Sequence, residues 1–203
     1  MFSAESGRAL KTSSTPPQAK ILIAGGFGVG KTTLVGAVSE ITPLSTEERL
    51  TVASAGIDHL GPADGKTTTT VALDFGRITL EAATLLLFGT PGQERFWFMW
   101  DDLLRGAIGA VVLVDTRRLD VSFAAVDFFE SRGTPFVIAV NCFHGSQHHT
   151  PDQIRTALDL QDPQTSVLMV DARRKDSVRA VLLALLDQLI SRAATAMPRS
   201  SDS

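Results

Sequence analysis

Lys31 and Thr32 close a glycine-rich run, Gly25-Gly26-Phe27-Gly28-Val29-Gly30-Lys31-Thr32-Thr33, in which Gly25, Gly30, Lys31 and Thr32 meet the spacing G-x-x-x-x-G-K-[ST]. These residue types suit the capture of a phosphorylated ligand. Gly28 and Gly30 let the backbone curl so that successive N–H groups face phosphate oxygens. Gly28, Val29, Gly30, Lys31, Thr32 and Thr33 are therefore the expected phosphate contacts. Lys31 adds a mobile cation for the outer phosphates, and the Thr32 hydroxyl is a small hard ligand for Mg²⁺. A glycine-rich turn without a ligand is outweighed, because the motif is complete and both flanks agree with it.

The flanks are an apolar run, Ile21-Leu22-Ile23-Ala24, and a helix-compatible stretch, Leu34-Val35-Gly36-Ala37-Val38. That order of strand, turn and helix would aim the positive helix end at the anion. Further along, strand-like runs at 20–24, 71–80, 84–88, 110–114, 136–140 and 166–170 alternate with helical patterns at 31–39, 95–104, 121–132, 151–160 and 175–194. The alternation predicts an α/β fold, a mostly parallel six-stranded sheet with helices on both faces. The runs 71–80 and 84–88 are too close for a crossover helix, so they predict one antiparallel hairpin. The stretch 42–70, with weak pattern and several Gly, Pro and Ser, reads as a mobile connection. Residues 1–18 read as a flexible arm, 19–195 as the nucleotide-binding domain and 196–203 as a flexible tail.

Bulk properties narrow the classes. A length of 203 residues with 44% hydrophobic content supports one domain with a real core. A net charge of −3 offers no reason to expect nucleic acid as a partner. The single cysteine, Cys142, excludes an internal disulfide framework and fits a reducing, cytoplasmic setting. The most apolar long segment, 178–190, is broken by Arg179 and Asp187, so no integral membrane segment is expected. Recruitment to a membrane complex through a partner stays open.

A second group of residues follows the hairpin: Gly89-Thr90-Pro91-Gly92-Gln93-Glu94-Arg95-Phe96. This string, with the order of elements from about 20 to 194, resembles the second switch of Ras-like small GTPases, which have Asp-x-x-Gly-Gln there. Within them it is most similar to the bacterial branch, the GTPase-like proteins of actinobacterial conservon operons, with gliding-motility GTPases as cousins. The resemblance implies a Ras-like three-layer P-loop fold binding GTP and GDP with Mg²⁺. It implies that the Gly92 N–H touches the γ-phosphate and that Gln93 orients the attacking water. The string Thr70-Val-Ala-Leu-Asp-Phe resembles the Rab-type Thr-Ile-Gly-Val-Asp-Phe, which makes Thr70 the switch threonine on the metal beside Thr32.

The chain departs from that pattern in four places. Gly89 replaces the aspartate that holds Mg²⁺ through water, so the metal must lean on Thr32, Thr70 and the phosphates. Phe27 replaces a glycine, where a ring either crowds an arginine finger and slows turnover or packs over the loop. In Asn141-Cys142-Phe143-His144, at the place of Asn-Lys-x-Asp, His144 replaces the carboxylate that reads guanine. A neutral imidazole offers one acceptor, so the loss weakens guanine preference by about 2–4 kcal/mol. Asn141, His144, Ala172 and Arg173 are the expected base-binding residues, and ATP is not excluded as ligand. Last, Phe96-Trp97-Phe98-Met99-Trp100 holds both tryptophans, and Phe96, Trp97 and Trp100 would spread over a face wider than one helix buries. They form a candidate contact surface, for which the resemblance implies a small Roadblock-type partner. Arg49 and Arg77 are weak candidates for an arginine finger in cis, and His144, His148, His149 and Cys142 lack the second cysteine of a zinc site. The expected function is a GTP-binding switch in signalling whose slow hydrolysis calls for an activating partner. A non-hydrolysing nucleotide-binding scaffold and a P-loop protein using ATP remain as alternatives.

Overall fold

Alternation along the central strands builds both halves of the core. In the computed structural model, which describes residues 16–42, 44–51, 68–142 and 148–196, β1 (Gln18–Ala24) sends Ile21 and Ile23 to one face of the sheet and Leu22 and Ala24 to the other. β5 (Ala107–Val114) does the same with Val111 and Leu113 against Ala110, Val112 and Val114. β6 (Phe136–Asn141) divides Val137 and Ala139 from Phe136, Ile138 and Val140. Their buried stretches, 21–24, 109–114 and 136–140, are apolar because a strand covered on both faces has no side for a polar residue.

The helices that cover those faces give three layers. α1 (Lys31–Val38) and α5 (Lys175–Ala196) pack through Leu34, Val35, Val181 and Leu185 on one side. α2 (Trp100–Leu104), α3 (Phe123–Ser131) and α4 (Pro151–Ala157) supply Trp100, Val126, Phe129 and Ile154 on the other. The remaining strands are β2 (Leu44–Thr51), β3 (Thr68–Thr79), β4 (Thr84–Gly89) and β7 (Val167–Val170). The sheet order is β2-β3-β4-β1-β5-β6-β7. β1 runs parallel to both β4 and β5, and β5, β6 and β7 continue parallel.

The expected α/β class and all six expected strands are present, including the antiparallel hairpin of β3 and β4. The sheet has one strand more than six. β2 lies inside the stretch expected to be a loose connection and pairs antiparallel with β3, Leu44 opposite Phe75 and Thr51 opposite Thr68. Its sequence, Leu-Ser-Thr-Glu-Glu-Arg-Leu-Thr, lacks the apolar alternation of a core strand because an edge strand is held by its backbone and tolerates charge. The helix expected over 95–104 begins as a 3-10 helix, Glu94–Met99, before α2. The one over 121–132 is preceded by another, Thr116–Ser122. Most of the arm and tail lie outside the described residues.

Leu185 anchors α5 on the sheet and is fully buried. Leu185→Ala is expected to lower unfolding stability by about 2–5 kcal/mol, read as a shift of the urea midpoint at unchanged slope.

Candidate functional site

The glycine-rich run leaves β1 where its own connection, through α1, and that of the neighbouring β5, through α3, depart to opposite faces of the sheet, the place at which open α/β sheets leave a crevice. Gly30 caps α1 with φ 106°, a left-handed conformation that an L side chain rarely adopts. It offers no side-chain cap, and the first turn of α1 carries no acidic residue. The first N–H groups of that helix are therefore available to an anion. By contrast α4 closes its own N-terminus with a capping box of Thr150 and Gln153.

Lys31 folds back over the loop. Its Nζ donates to the carbonyls of Gly25 (2.9 Å) and Gly26 (2.8 Å). Burial pushes the ammonium down to about 8, opposed by the negative charge of Asp74. A phosphate arriving here would replace two neutral carbonyls with charged acceptors, a stronger set of partners.

The segment Thr90-Pro91-Gly92 forms the facing wall. The Thr90 N–H donates to the Ile23 carbonyl at 2.9 Å, which extends the β1–β4 pairing by one step. Gly92 comes so close to the loop that a Cβ on it would lie 2.6 Å from Lys31 Nζ and 2.8 Å from the Gly26 carbonyl oxygen. Only a residue without a side chain fits. Between these walls lies a cleft of about 350 Å³, lined among others by Lys31, Thr32, Asp74, Thr90 and Gly92. The Thr90 hydroxyl, on a residue only 2% exposed, has no hydrogen-bond partner among the described residues. Gln93 follows at the head of the 3-10 helix and does not line the cleft.

Two side chains at this end were not singled out from sequence. The Thr32 Oγ1 donates to Asp74 Oδ2 at 2.7 Å, which joins the loop to β3. Arg118 Nη2 donates to the Phe27 carbonyl at 2.9 Å, bracing the loop from outside. Asp74 was hidden inside a strand pattern, and Arg118 in a polar turn. The usable signal for Arg118 was its place just past the carboxyl end of a central strand. Phe27 itself is 65% exposed at the rim, so it does not pack over the loop. Arg77 is exposed on β3, and the side chain of Arg49 lies outside those described.

The other end of the crevice is organised by Asn141 at the end of β6. Its Nδ2 donates to the Val29 carbonyl at 2.9 Å, and its Oδ1 accepts from the Ala172 N–H at 3.2 Å. Asn141, Ala172 and Arg173 line a small cavity of about 120 Å³ with Gly30, Thr33 and Cys142. The Ala172 N–H, expected on the base, is here spent on Asn141. Arg173 grips Asp171 through Nε (2.9 Å) and Nη2 (2.8 Å), and these bonds hold that carboxyl down at about 2. Burial raises the Cys142 thiol. His144 lies outside the described residues.

The remaining expectations divide. Thr70 lies on β3, but its side chain is not among those described. Its position is four residues, about 13 Å of strand, before Asp74. The aromatic run is corrected in part. Phe96 and Trp100 are buried, and Trp97 packs on the same cluster. The 3-10 turn stacks residues three apart, so Trp97 meets Trp100 at 5.6 Å, and Trp100 meets Phe128 edge-on at 5.1 Å. Only Phe98, 60% exposed, is left on the outside. Trp100 also donates from Nε1 to the Pro91 carbonyl at 3.2 Å. No cluster of three or more His, Cys, Asp or Glu able to hold a metal occurs among the described residues. No helix among them is long and apolar enough to cross a membrane.

Comparison with known proteins agrees with this architecture. Residues 23–192 match the family described as conserved hypothetical ATP binding protein. The chain is 32% identical over 126 residues to the uncharacterized protein MJ1339 of Methanocaldococcus jannaschii, covering 61% of this chain and 70% of that protein. Among solved structures it resembles the G domain of the T. maritima FeoB iron transporter, with TM-score 0.60 and 16% identity over 84% of this chain and 98% of that one. The FeoB G domain of Methanococcus jannaschii gives TM-score 0.58 at 13% identity, covering 86% and 99%. The T. maritima FeoB cytosolic domain in a GDP form gives 0.63 at 14%, covering 87% and 65%. The fold is thus that of a P-loop, GTPase-like domain.

Lys31 supplies a pH dependence. In the free protein it loses its proton near pH 8, whereas a bound phosphate favours the charged form and raises that value. Binding above pH 8 must therefore take up a proton, and triphosphate affinity without divalent cation should fall by up to about tenfold per pH unit there. Isothermal titration in buffers of different ionisation enthalpy reads the uptake. Lys31→Ala should abolish binding with the fold retained.

Proposed function

The chain belongs to this family of conserved hypothetical ATP binding proteins, and from that premise we propose that it is a nucleotide-dependent switch that binds GTP and GDP with Mg²⁺ and hydrolyses GTP slowly. The observation that carries the reading is the approach of Gly92 to Lys31 and the loop. A γ-phosphate placed against Lys31 must meet the Gly92 backbone, and its loss must release it. Through the bond from Trp100 to the adjacent Pro91 carbonyl, that movement reaches the aromatic cluster under α2. The fold therefore has both a sensor and a path to its surface.

The donor set suits a hard divalent cation. Thr32 and Asp74 present only oxygen to the cleft, which Thr90 also lines. Thr32 would hold the ion, and the resemblance adds Thr70, which would have to leave its place on β3 to reach it. The ion would supply charge neutralisation for the phosphates. This chain's own residues do the rest. The α1 amides and Lys31 bind and orient the phosphates, Gly92 reports the outermost one, and Gln93 positions water once the switch closes. Resemblance to conservon proteins supports a small Roadblock-type partner for the signalling role, with Phe98 and the edge of Trp97 as the part of the aromatic run it could reach.

Guanine is supported by Asn141 and Ala172 at the base cavity. A second reading, ATP as the ligand, is favoured by the description of the family and by the Ala172 N–H being taken by Asn141. Titration with fluorescent GTP, GDP and ATP decides between them. We expect GTP and GDP to bind about tenfold more tightly than ATP, a margin of ~1.4 kcal/mol. Equal or tighter binding of ATP overturns the guanine reading. Gln93→Ala should cut phosphate release by about 10², while tryptophan emission should differ between the diphosphate and triphosphate forms. No turnover in any condition, with tight binding kept, identifies a scaffold instead.

A further inference from the structure

We propose that Asp74 is the carboxylate of the divalent-cation site beside the phosphate loop, supplied from β3 in place of the side chain that Gly89 lacks. The inference rests on the reading that the cleft takes a nucleotide with Mg²⁺, though not on which base that nucleotide carries.

Register places the two positions face to face. Phe75 pairs with Phe88 in the antiparallel ladder of β3 and β4, and the next step sets Asp74 opposite Gly89. A Cβ built on Gly89 would lie 2.9 Å from Asp74 Cβ and 3.1 Å from Asp74 Oδ2. Cross-strand Cβ atoms ordinarily stand about 4.5–5.5 Å apart. The side chain of Asp74 thus leans into the room that a side chain at 89 would occupy.

The carboxylate is also aimed at the right neighbours. Asp74 Oδ2 accepts the Thr32 hydroxyl proton at 2.7 Å, which leaves the lone pairs of the threonine oxygen free for a cation. Asp74 lines the same cleft as Lys31, Thr32 and Thr90. Its charge is felt at Lys31, where it opposes the effect of burial. A carboxylate, the Thr32 hydroxyl and phosphate oxygens are the all-oxygen environment that Mg²⁺ requires, with water completing it.

A purely structural role makes a different prediction. If Asp74 only anchors the Thr32 hydroxyl, its removal weakens nucleotide binding equally with and without metal. If it serves the cation, its charge repels the phosphates when metal is absent. Fluorescent GTP and ATP are titrated against the full chain and against Asp74→Asn, in EDTA and across a Mg²⁺ series. The expected result is that Asp74→Asn binds both nucleotides at least as tightly as the wild type in EDTA, while the Mg²⁺ concentration needed for half of the metal-dependent gain rises at least tenfold. The double variant Asp74→Gly, Gly89→Asp returns the carboxylate to the other strand with its glycine, and should restore that concentration to within about threefold. An unchanged Mg²⁺ midpoint in Asp74→Asn overturns the proposal, as does an equal loss of affinity in EDTA and in Mg²⁺. If Asp74→Asn fails to fold by circular dichroism, the double variant decides, and a midpoint left tenfold high in it also overturns the proposal. The ratio of GTP to ATP affinity is measured in the same titrations, so a failure of the guanine reading shows separately.

Discussion

Everything at the carboxyl edge of the sheet depends on one buried amide. Asn141 ties the Val29 carbonyl of the phosphate loop to the Ala172 N–H of the loop after β7. Each bond contributes only about 0.5–1.5 kcal/mol net, but an amide left without partners at this depth costs more. Gly30 presses on the same group, since a Cβ there would lie 2.7 Å from Asn141 Nδ2. The glycine that starts α1 and the asparagine that ends β6 are therefore one constraint. It fixes where the helix begins, and so where its unpaired N–H groups gather.

On that fixed frame, the segment after β4 is held by contacts of a different kind. Thr90 is pinned to β1 by a backbone bond, while Gly92 merely touches the loop and Pro91 is held by the Trp100 indole. A rigid anchor, a close approach and a single hydrogen bond to an aromatic cluster form a graded series from immobile to displaceable. The aromatic residues that look like an interface in the sequence pack against this segment, with Phe96 and Trp100 buried and Trp97 beside them. In the proposed switch, a shift at Pro91 would reach that core through the Trp100 indole.

The elements were legible wherever burial writes a period into the chain. β1, β5 and β6 are apolar because both faces are covered, and the glycine-rich run is legible because its backbone has no alternative to glycine. β2 was not legible, since an edge strand carrying Glu47, Glu48 and Arg49 draws its stability from main-chain bonds that any residue can make. The aromatic run misled because a 3-10 turn has a three-residue repeat, and a helical wheel drawn at 3.6 residues spreads side chains that the turn stacks. Asp74 was hidden for a further reason. Its importance lies in what stands opposite it across the ladder, and pairing between strands is not a local property of sequence.

The close opposition of positions 74 and 89 has a consequence for descent. A Cβ on residue 89 would fall only 2.9 Å from that of Asp74, so a side chain there requires the carboxylate on β3 to turn away from its present place. A lineage that loses the side chain on β4 opens the room into which the acidic residue on β3 can lean, and the two changes favour one another. Relatives with glycine at the place of Gly89 should keep the acidic residue at the place of Asp74, whereas those with an acid on β4 should be free to vary it.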